Sequence, residues 1–286
     1  MNTSVTLAMC ALIIAVTGFE PVRAKATPFF SVDRLTDELV EIDPSTGSVS
    51  VIGPLGIDVF DIDLTRTPDG RLWGLNTIYQ NRVDLFEIST TTGAVISSVQ
   101  VKIAGNGVLH AEGLAHIGNG LVIGYSIAGN SSSDGFGDLA TNGAITNAVT
   151  LSPTADIDGL GIGAGSVTLY AVDVTGSGTF VYEIDPTNMA TTLVGALSTS
   201  TIVVNDLLGV GSDVFIIAEE TGVLHRIDVA SPSILNTISL NRSGEYLGLA
   251  LAGPLDVPEP STLALFGVAL VGLGTTRQWQ EIKREV

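Results

Sequence analysis

The chain has 286 residues, a formal charge of −18 and a pI near 4.2, and it contains 33 glycines and a single cysteine. That balance excludes nucleic acid and anionic lipid as partners, because phosphate recognition needs clustered Lys and Arg. With only Cys10 present, disulfide frameworks and Cys-based metal sites are excluded as well.

Residues 5–16 form a short apolar run, followed by Gly18, Pro21 and Ala24-Lys25-Ala26. The run is too short to span a bilayer and ends in small residues, which predicts a secretory signal peptide over residues 1–26, cut after Ala26. The first six residues, Met1 to Thr6, carry no Lys or Arg, and an uncleaved N-terminal anchor is the other reading. Export of a protein whose mature part has no cysteine points to a bacterium.

From residue 27 onward the chain repeats itself. Strand-like segments occur at 39–43, 85–89, 136–140, 180–185 and 224–228, and their anchors Ile42, Ile88, Leu139, Ile184 and Ile227 recur every 43–51 residues. Turns rich in Pro, Thr, Asn and Gly follow most anchors, as at Pro44-Ser45-Thr46-Gly47, and each anchor is then followed by a second strand. A glycine-rich apolar strand comes next, at 60–64, 112–115, 158–162, 206–210 and 245–251. The unit closes with another apolar strand at 71–76, 121–126, 167–173 and 214–218, and the fifth unit lacks it. Residues 28–33, Pro-Phe-Phe-Ser-Val-Asp, match the pattern of 168–173 and supply the missing strand. A repeat of this period made only of strands predicts a five-bladed β-propeller over 27–254, its last blade closed by the N-terminal strand. Such closure removes exposed sheet edges. The hairpins at 39–47 and 181–188 resemble the large class of repeat-propeller proteins with Leu-Tyr-Glu-Ile-Asp-Pro-Thr-Thr-Gly hairpins, whose members mostly have no assigned activity. That resemblance implies architecture and not function.

Chemistry is sparse in the body. There is no Gly-x-Ser-x-Gly elbow and no phosphate loop. His110, Glu112 and His116 share a face if their strand alternates regularly, which suggests either a His–Glu–His site or polar residues opening a strand. Asp61-Ile62-Asp63 and Asp156-Ile157-Asp158-Gly159 lack the spacing of a calcium loop. Aligning the glycine-rich strands does place an acid at the start of each: Asp61, Glu112, Asp158, Asp206 and Glu245. If those strands are innermost, five carboxylates ring one mouth of the channel. They then hold a hard cation such as Ca²⁺, share protons, or cap separate turns at a solvated rim. Asn130-Ser131-Ser132-Ser133-Asp134-Gly135 reads as a flexible loop.

The chain ends in Val257-Pro258-Glu259-Pro260, an uncharged helical run over 261–276, then Arg277, Lys283 and Arg284. The prolines stop any helix from running back into the body. The run is apolar on all sides but shorter than the ~20 residues a spanning helix usually takes. This arrangement resembles the PEP-CTERM sorting signal of exported proteins in Gram-negative bacteria that make extracellular polysaccharide. The resemblance covers residues 255–286. It implies recognition of the Pro-Glu-Pro box by an exosortase-type membrane transpeptidase, transient tethering by the helix and delivery to the cell surface. The tail departs from the family's arginine cluster, since Gln278-Trp279-Gln280-Glu281-Ile282 separates Arg277 from Lys283. The expected role is a non-catalytic binding or structural module of the envelope or exopolysaccharide matrix, with extracellular polysaccharide or a surface protein as partner and no organic cofactor. The competing class is a lactonase-like or lyase-like propeller enzyme with a metal at the channel mouth.

Overall fold

A computed structural model describes residues 27–253 apart from 79–81, 109, 119, 127–133, 151–156, 163–167, 176, 189, 199–202, 211–212 and 219–221. The expected signal peptide and sorting segment lie outside the described residues. Within them the chain is all strand, and no helix is long and apolar enough to cross a membrane. In chain order the strands are β1 (Phe29–Asp33), β2 (Glu38–Asp43), β3 (Ser48–Pro54), β4 (Ile62–Arg66), β5 (Leu72–Ile78), β6 (Arg82–Ile88) and β7 (Val95–Gln100). Then come β8 (Lys102–Ile103), β9 (Asn106–Gly107), β10 (His110–Ile117), β11 (Gly120–Ser126), β12 (Asp134–Leu139) and β13 (Ala144–Thr150). The rest are β14 (Gly159–Ile162), β15 (Leu169–Thr175), β16 (Gly178–Ile184), β17 (Thr191–Ser198), β18 (Val204–Val210), β19 (Asp213–Ala218), β20 (Val223–Asp228), β21 (Ser233–Ser239) and β22 (Tyr246–Leu251).

They pair into four 4-stranded sheets, β22-β1-β2-β3, β4-β5-β6-β7, β14-β15-β16-β17 and β18-β19-β20-β21, and one 6-stranded sheet, β10-β11-β12-β13-β8-β9. The strands β4, β10, β14, β18 and β22 neighbour one another in that order and return to β4, so they surround a central axis. The fold is propeller-like. β1 inserts between β22 and β2, with Phe29 opposite Leu251 on one side and Ile42 on the other, so both ends of the body share one sheet.

The repeat anchors explain the packing. Ile42, Ile88, Leu139, Ile184 and Ile227 all lie on the third strand of their sheets and are buried. Apolar side chains fill the space between adjacent sheets: Leu75 and Leu85 meet Leu114 and Ile123, and Phe29 meets Phe215 edge-on at 4.9 Å. Each buried Leu or Phe contributes about 1.5–3 kcal/mol. Between third and fourth strands the register shifts in all five sheets, for example at Glu87/Ile88 and Arg226/Ile227. The bulge increases local twist and turns the outer strand away from the axis.

Two details differ from the sequence expectation. The segment after β7 forms the small hairpin β8–β9, whose first strand adds to β13 in parallel and widens that sheet. Asp134 and Gly135, expected in a loop, belong to β12 and pair with Ser126 and Tyr125. Gly135 lies under the Tyr125 ring, where an added Cβ would be 2.6 Å from the ring carbon Cζ. That local fit favours strand over loop, while residues 130–133 lie outside the described residues.

Neighbouring sheets also meet through the turns that lead into their outer strands. Gly93 has φ +79°, and a Cβ there would sit 2.2 Å from the Gly53 carbonyl oxygen. Gly93→Ala combines left-handed strain with that clash, so a loss of about 2 kcal/mol in chemical denaturation is expected, with the strand signature of circular dichroism retained.

Candidate functional site

The five axial strands run in the same sense, so their starts define one mouth of the channel and their ends the other. At the first mouth a polar pocket of about 230 Å³ is lined by Arg34, Phe60, Asp61, His110, Asp158 and Asn205, with Val203 and Val204 beside them. Asn205 occupies a bulge in β18, between the paired residues Val204 and Asp206. From there its Nδ2 donates to Asp61 Oδ1 at 2.7 Å, and its Oδ1 accepts the Gly248 N–H at 2.7 Å. Asp158 Oδ2 accepts the Val174 N–H at 2.5 Å. Arg34 meets Glu245 at 3.5 Å and stacks over the Phe60 ring at 5.7 Å. Burial pushes the Asp61 carboxyl above its ordinary value, while Asn205, His110 and Arg34 pull the other way.

Asp206 lies deeper, fully buried on the axis. Its Oδ2 accepts the N–H of Leu249 at 2.7 Å and of Leu64 at 3.3 Å, its Oδ1 accepts that of Leu207 at 2.7 Å, and the Leu160 backbone also bonds to it. One carboxylate therefore ties β18 to β4, β14 and β22. The strands come close enough because glycines face the contacts: a Cβ on Gly161 would lie 1.9 Å from the Leu207 carbonyl oxygen.

The five acids aligned by sequence do not take equivalent places. Asp61, Asp158 and Glu245 each immediately precede their strand, whereas Asp206 and Glu112 are the third residues of β18 and β10. That offset sends Asp206 down the channel, where backbone N–H groups hold it. Asp61 and Asp158 share the mouth pocket, Glu245 sits on the rim with Arg34, and the Glu112 side chain lies outside the described residues. Regular alternation along β10 also fails: the register shifts between Ala111 and Gly113. His110 lines the first mouth and His116 the second, so the two histidines do not converge on one site. Among the described residues no three His, Cys, Asp or Glu side chains gather as a metal-ligand set. Arg34, Phe60 and Asn205 are pocket residues that sequence alignment missed. The Asn205-Asp206 pair breaking an otherwise apolar strand was their one visible signal.

The second mouth is different in kind. A smaller pocket of about 120 Å³ is walled by Leu64, Leu114, Leu160, Leu207 and Leu249, with Arg66 and His116 at its edge. Burial pushes the His116 imidazole below its usual range, opposed by Asp69. Arg66 Nη1 donates to the carbonyls of Leu251 at 3.4 Å, Ala252 at 2.7 Å and Gly253, and its Nε donates to Gly70 O at 3.2 Å.

Burial also holds the Asp206 carboxyl well above the usual carboxylate range, against the four backbone N–H groups that favour its charged form. The folded protein then binds more protons than the unfolded chain from about pH 4 up to the raised value, so this group's contribution to stability falls as pH rises through that window. Asp206→Asn cannot titrate. Denaturation measured from pH 4 to 8 should show the wild type losing stability relative to this variant as pH rises; Asp206→Ala, which orphans the buried donors, should lose about 3 kcal/mol or more throughout.

The PEP-CTERM protein-sorting motif matches residues 256–278. No curated protein sequence matches the chain. Among solved structures it is similar to a chain of a nidogen/laminin complex, with TM-score 0.50 and 11% identity over 80% of this chain and 86% of that one. It is also similar to the Dos1 propeller, with TM-score 0.41 and 15% identity over 76% of this chain. There it spans 56% of the other protein's length. A third similarity is to the periplasmic gluconolactonase PpgL of Pseudomonas aeruginosa, with TM-score 0.42 and 16% identity over 76% and 69% of the two chains. At such identities the likeness concerns the fold alone. The chain is thus a propeller-like body that carries a PEP-CTERM sorting motif at its C-terminal end.

Proposed function

We propose that this is an exported, surface-sorted, five-bladed propeller protein that serves as a non-catalytic binding or structural module of the cell envelope or exopolysaccharide matrix. The observation that carries the proposal is the sorting motif at 256–278, set directly after a body whose last strand ends at Leu251. The motif implies export, a membrane-anchored tail and recognition by an exosortase-type processing enzyme. Polysaccharide or a surface protein is the partner at the first mouth, where Phe60 is 41% exposed beside hydrogen-bonding side chains.

The non-catalytic reading draws support from how the polar groups are used. Asp61 serves Asn205, Asp158 holds the Val174 N–H, and Asp206 joins strands. The same commitments argue against a calcium ring. The second reading, a lactonase-like or lyase-like enzyme with a metal at the mouth, draws on Asp61, His110 and Asp158 lining one pocket.

Two measurements test these readings. Glu259→Ala, or deletion of residues 261–286, should move the protein between membrane, surface and medium fractions and leave its melting temperature unchanged. A truncated body that failed to fold would make the tail part of the domain. Titration with millimolar calcium should leave the melting temperature unmoved; a rise that Asp61→Asn abolishes would favour the metal-enzyme reading instead.

A further inference from the structure

The body leaves its own ring at a defined place. β22 is an axial strand and its end, Leu251, lies at the second mouth. The next two residues follow from it, and the Arg66 guanidinium gathers the carbonyls of Leu251, Ala252 and Gly253. Arg66 ends the adjacent axial strand β4, so the chain is pinned close to the axis when it departs.

Residues 254–262 then separate Gly253 from the apolar run that begins at Leu263. Fully extended, nine residues reach at most ~30 Å. For the first mouth to face a bilayer that holds the run, this spacer would have to pass outward beneath a four-stranded sheet and then climb the outside of the ring. With strands ~4.8 Å apart, the outward leg is ~15 Å before the inner radius is added. With axial strands of about six residues, the climb is ~20 Å more. The path exceeds the reach even before the headgroup layer is crossed. No comparable path is needed if the second mouth faces the bilayer.

Ionic side chains lie on both sides of the ring, and on the second side Asp69 and Arg71 pair at 2.9 Å in the turn after β4. Arg34, Glu38, Asp61, Asp158, Arg242 and Glu245 gather at the first mouth, with Arg242 bridging Glu38 at 2.8 Å and Asp33 at 3.2 Å. The sheet turns on the second side are built from Pro, Ser, Thr, Asn and Gly, as at 44–47, 90–93 and 141–143. Acids that flank such turns are drawn into them. Asp43, Asp185 and Asp228 accept the N–H of Ser45 at 2.8 Å, Thr187 at 2.8 Å and Ala230 at 2.9 Å.

From these observations we infer that, while the chain is tethered, the second mouth and its short polar turns are the face held against the lipid bilayer. The Asp61–His110–Asp158 pocket points away from the membrane and is open to a partner before the tail is removed. The inference rests on the tether reading given above for the sorting segment.

The test uses the full chain reconstituted into phosphatidylcholine vesicles that contain a lipid with a headgroup-attached quencher. In a Cys10→Ser background, a fluorophore is placed at Thr91→Cys, exposed in the turn before β7, or at Leu35→Cys, 64% exposed in the turn after β1 at the first mouth. Quenching should be several-fold stronger at Thr91 than at Leu35. Equal quenching, or stronger quenching at Leu35, overturns the orientation. Flotation of the vesicles separates the two ideas. A full chain that does not float with them overturns the tether reading and the orientation together, whereas flotation without a quenching difference overturns the orientation alone. Arg66→Met removes the donors that pin the exit, and the quenching difference should shrink in this variant while the protein stays folded; an undiminished difference overturns the part assigned to Arg66.

Discussion

A single buried carboxylate sets the geometry on which the rest of this molecule depends. Asp206 accepts backbone N–H groups from β4, β18 and β22, with β14 joining through Leu160. Axial strands expose backbone to the channel, and in a narrow ring neither regular pairing nor bulk water satisfies every donor. A carboxylate at that depth supplies several acceptor sites at once. It is kept there at the expense of burial, which is why the surrounding polar pins matter. Asn205 links Asp61 to Gly248, Thr77 Oγ1 donates to Ala111 O at 2.9 Å, and Ser31 Oγ donates to Leu247 O at 3.0 Å. The first two join sheets that share no ladder hydrogen bonds, and the third bridges the bulge between β1 and β22 within the closing sheet.

That arrangement separates the channel into two mouths with different chemistry. The first combines an aromatic face, an arginine, a histidine and two carboxylates in about 230 Å³, a volume on the scale of one small polar ligand unit. The second is apolar and smaller, and its arginine is occupied by main-chain carbonyls. A protein that used the channel as a conduit would leave the axis open. Here Asp206 and the leucines around it close the middle, which leaves the two mouths as the accessible parts of the channel.

Much of the architecture was legible in one dimension because it depends on period. Ile42, Ile88, Leu139, Ile184 and Ile227 recur at the spacing of one sheet, and all are buried on third strands. The N-terminal strand could be matched to the missing position because residues 29–33 repeat the alternation of residues 169–173. What failed was depth along a strand. Asp61, Asp158 and Asp206 look alike when aligned, yet a three-residue offset separates a mouth from an axis. His110 and His116 look like partners, yet the shift after Ala111 and the length of β10 send them to opposite ends. The β8–β9 hairpin has no apolar alternation to announce it. Arg66 reads as an ordinary surface cation because the carbonyls it binds lie at the other end of the body's sequence.

The sheet shared by β22 and β1 also constrains the order of events during synthesis. Every other sheet is drawn from one continuous stretch of chain, the added β8–β9 hairpin included, and forms from contacts of short sequence separation. The closing sheet pairs Phe29 with Leu251, so its loop is almost the whole body, and it cannot form until the last strand has emerged. The segment with the sorting motif follows directly along the chain. Completion of the ring and arrival of the sorting segment are therefore nearly simultaneous, and any earlier contact with a processing enzyme would meet an open, unfinished array of sheets.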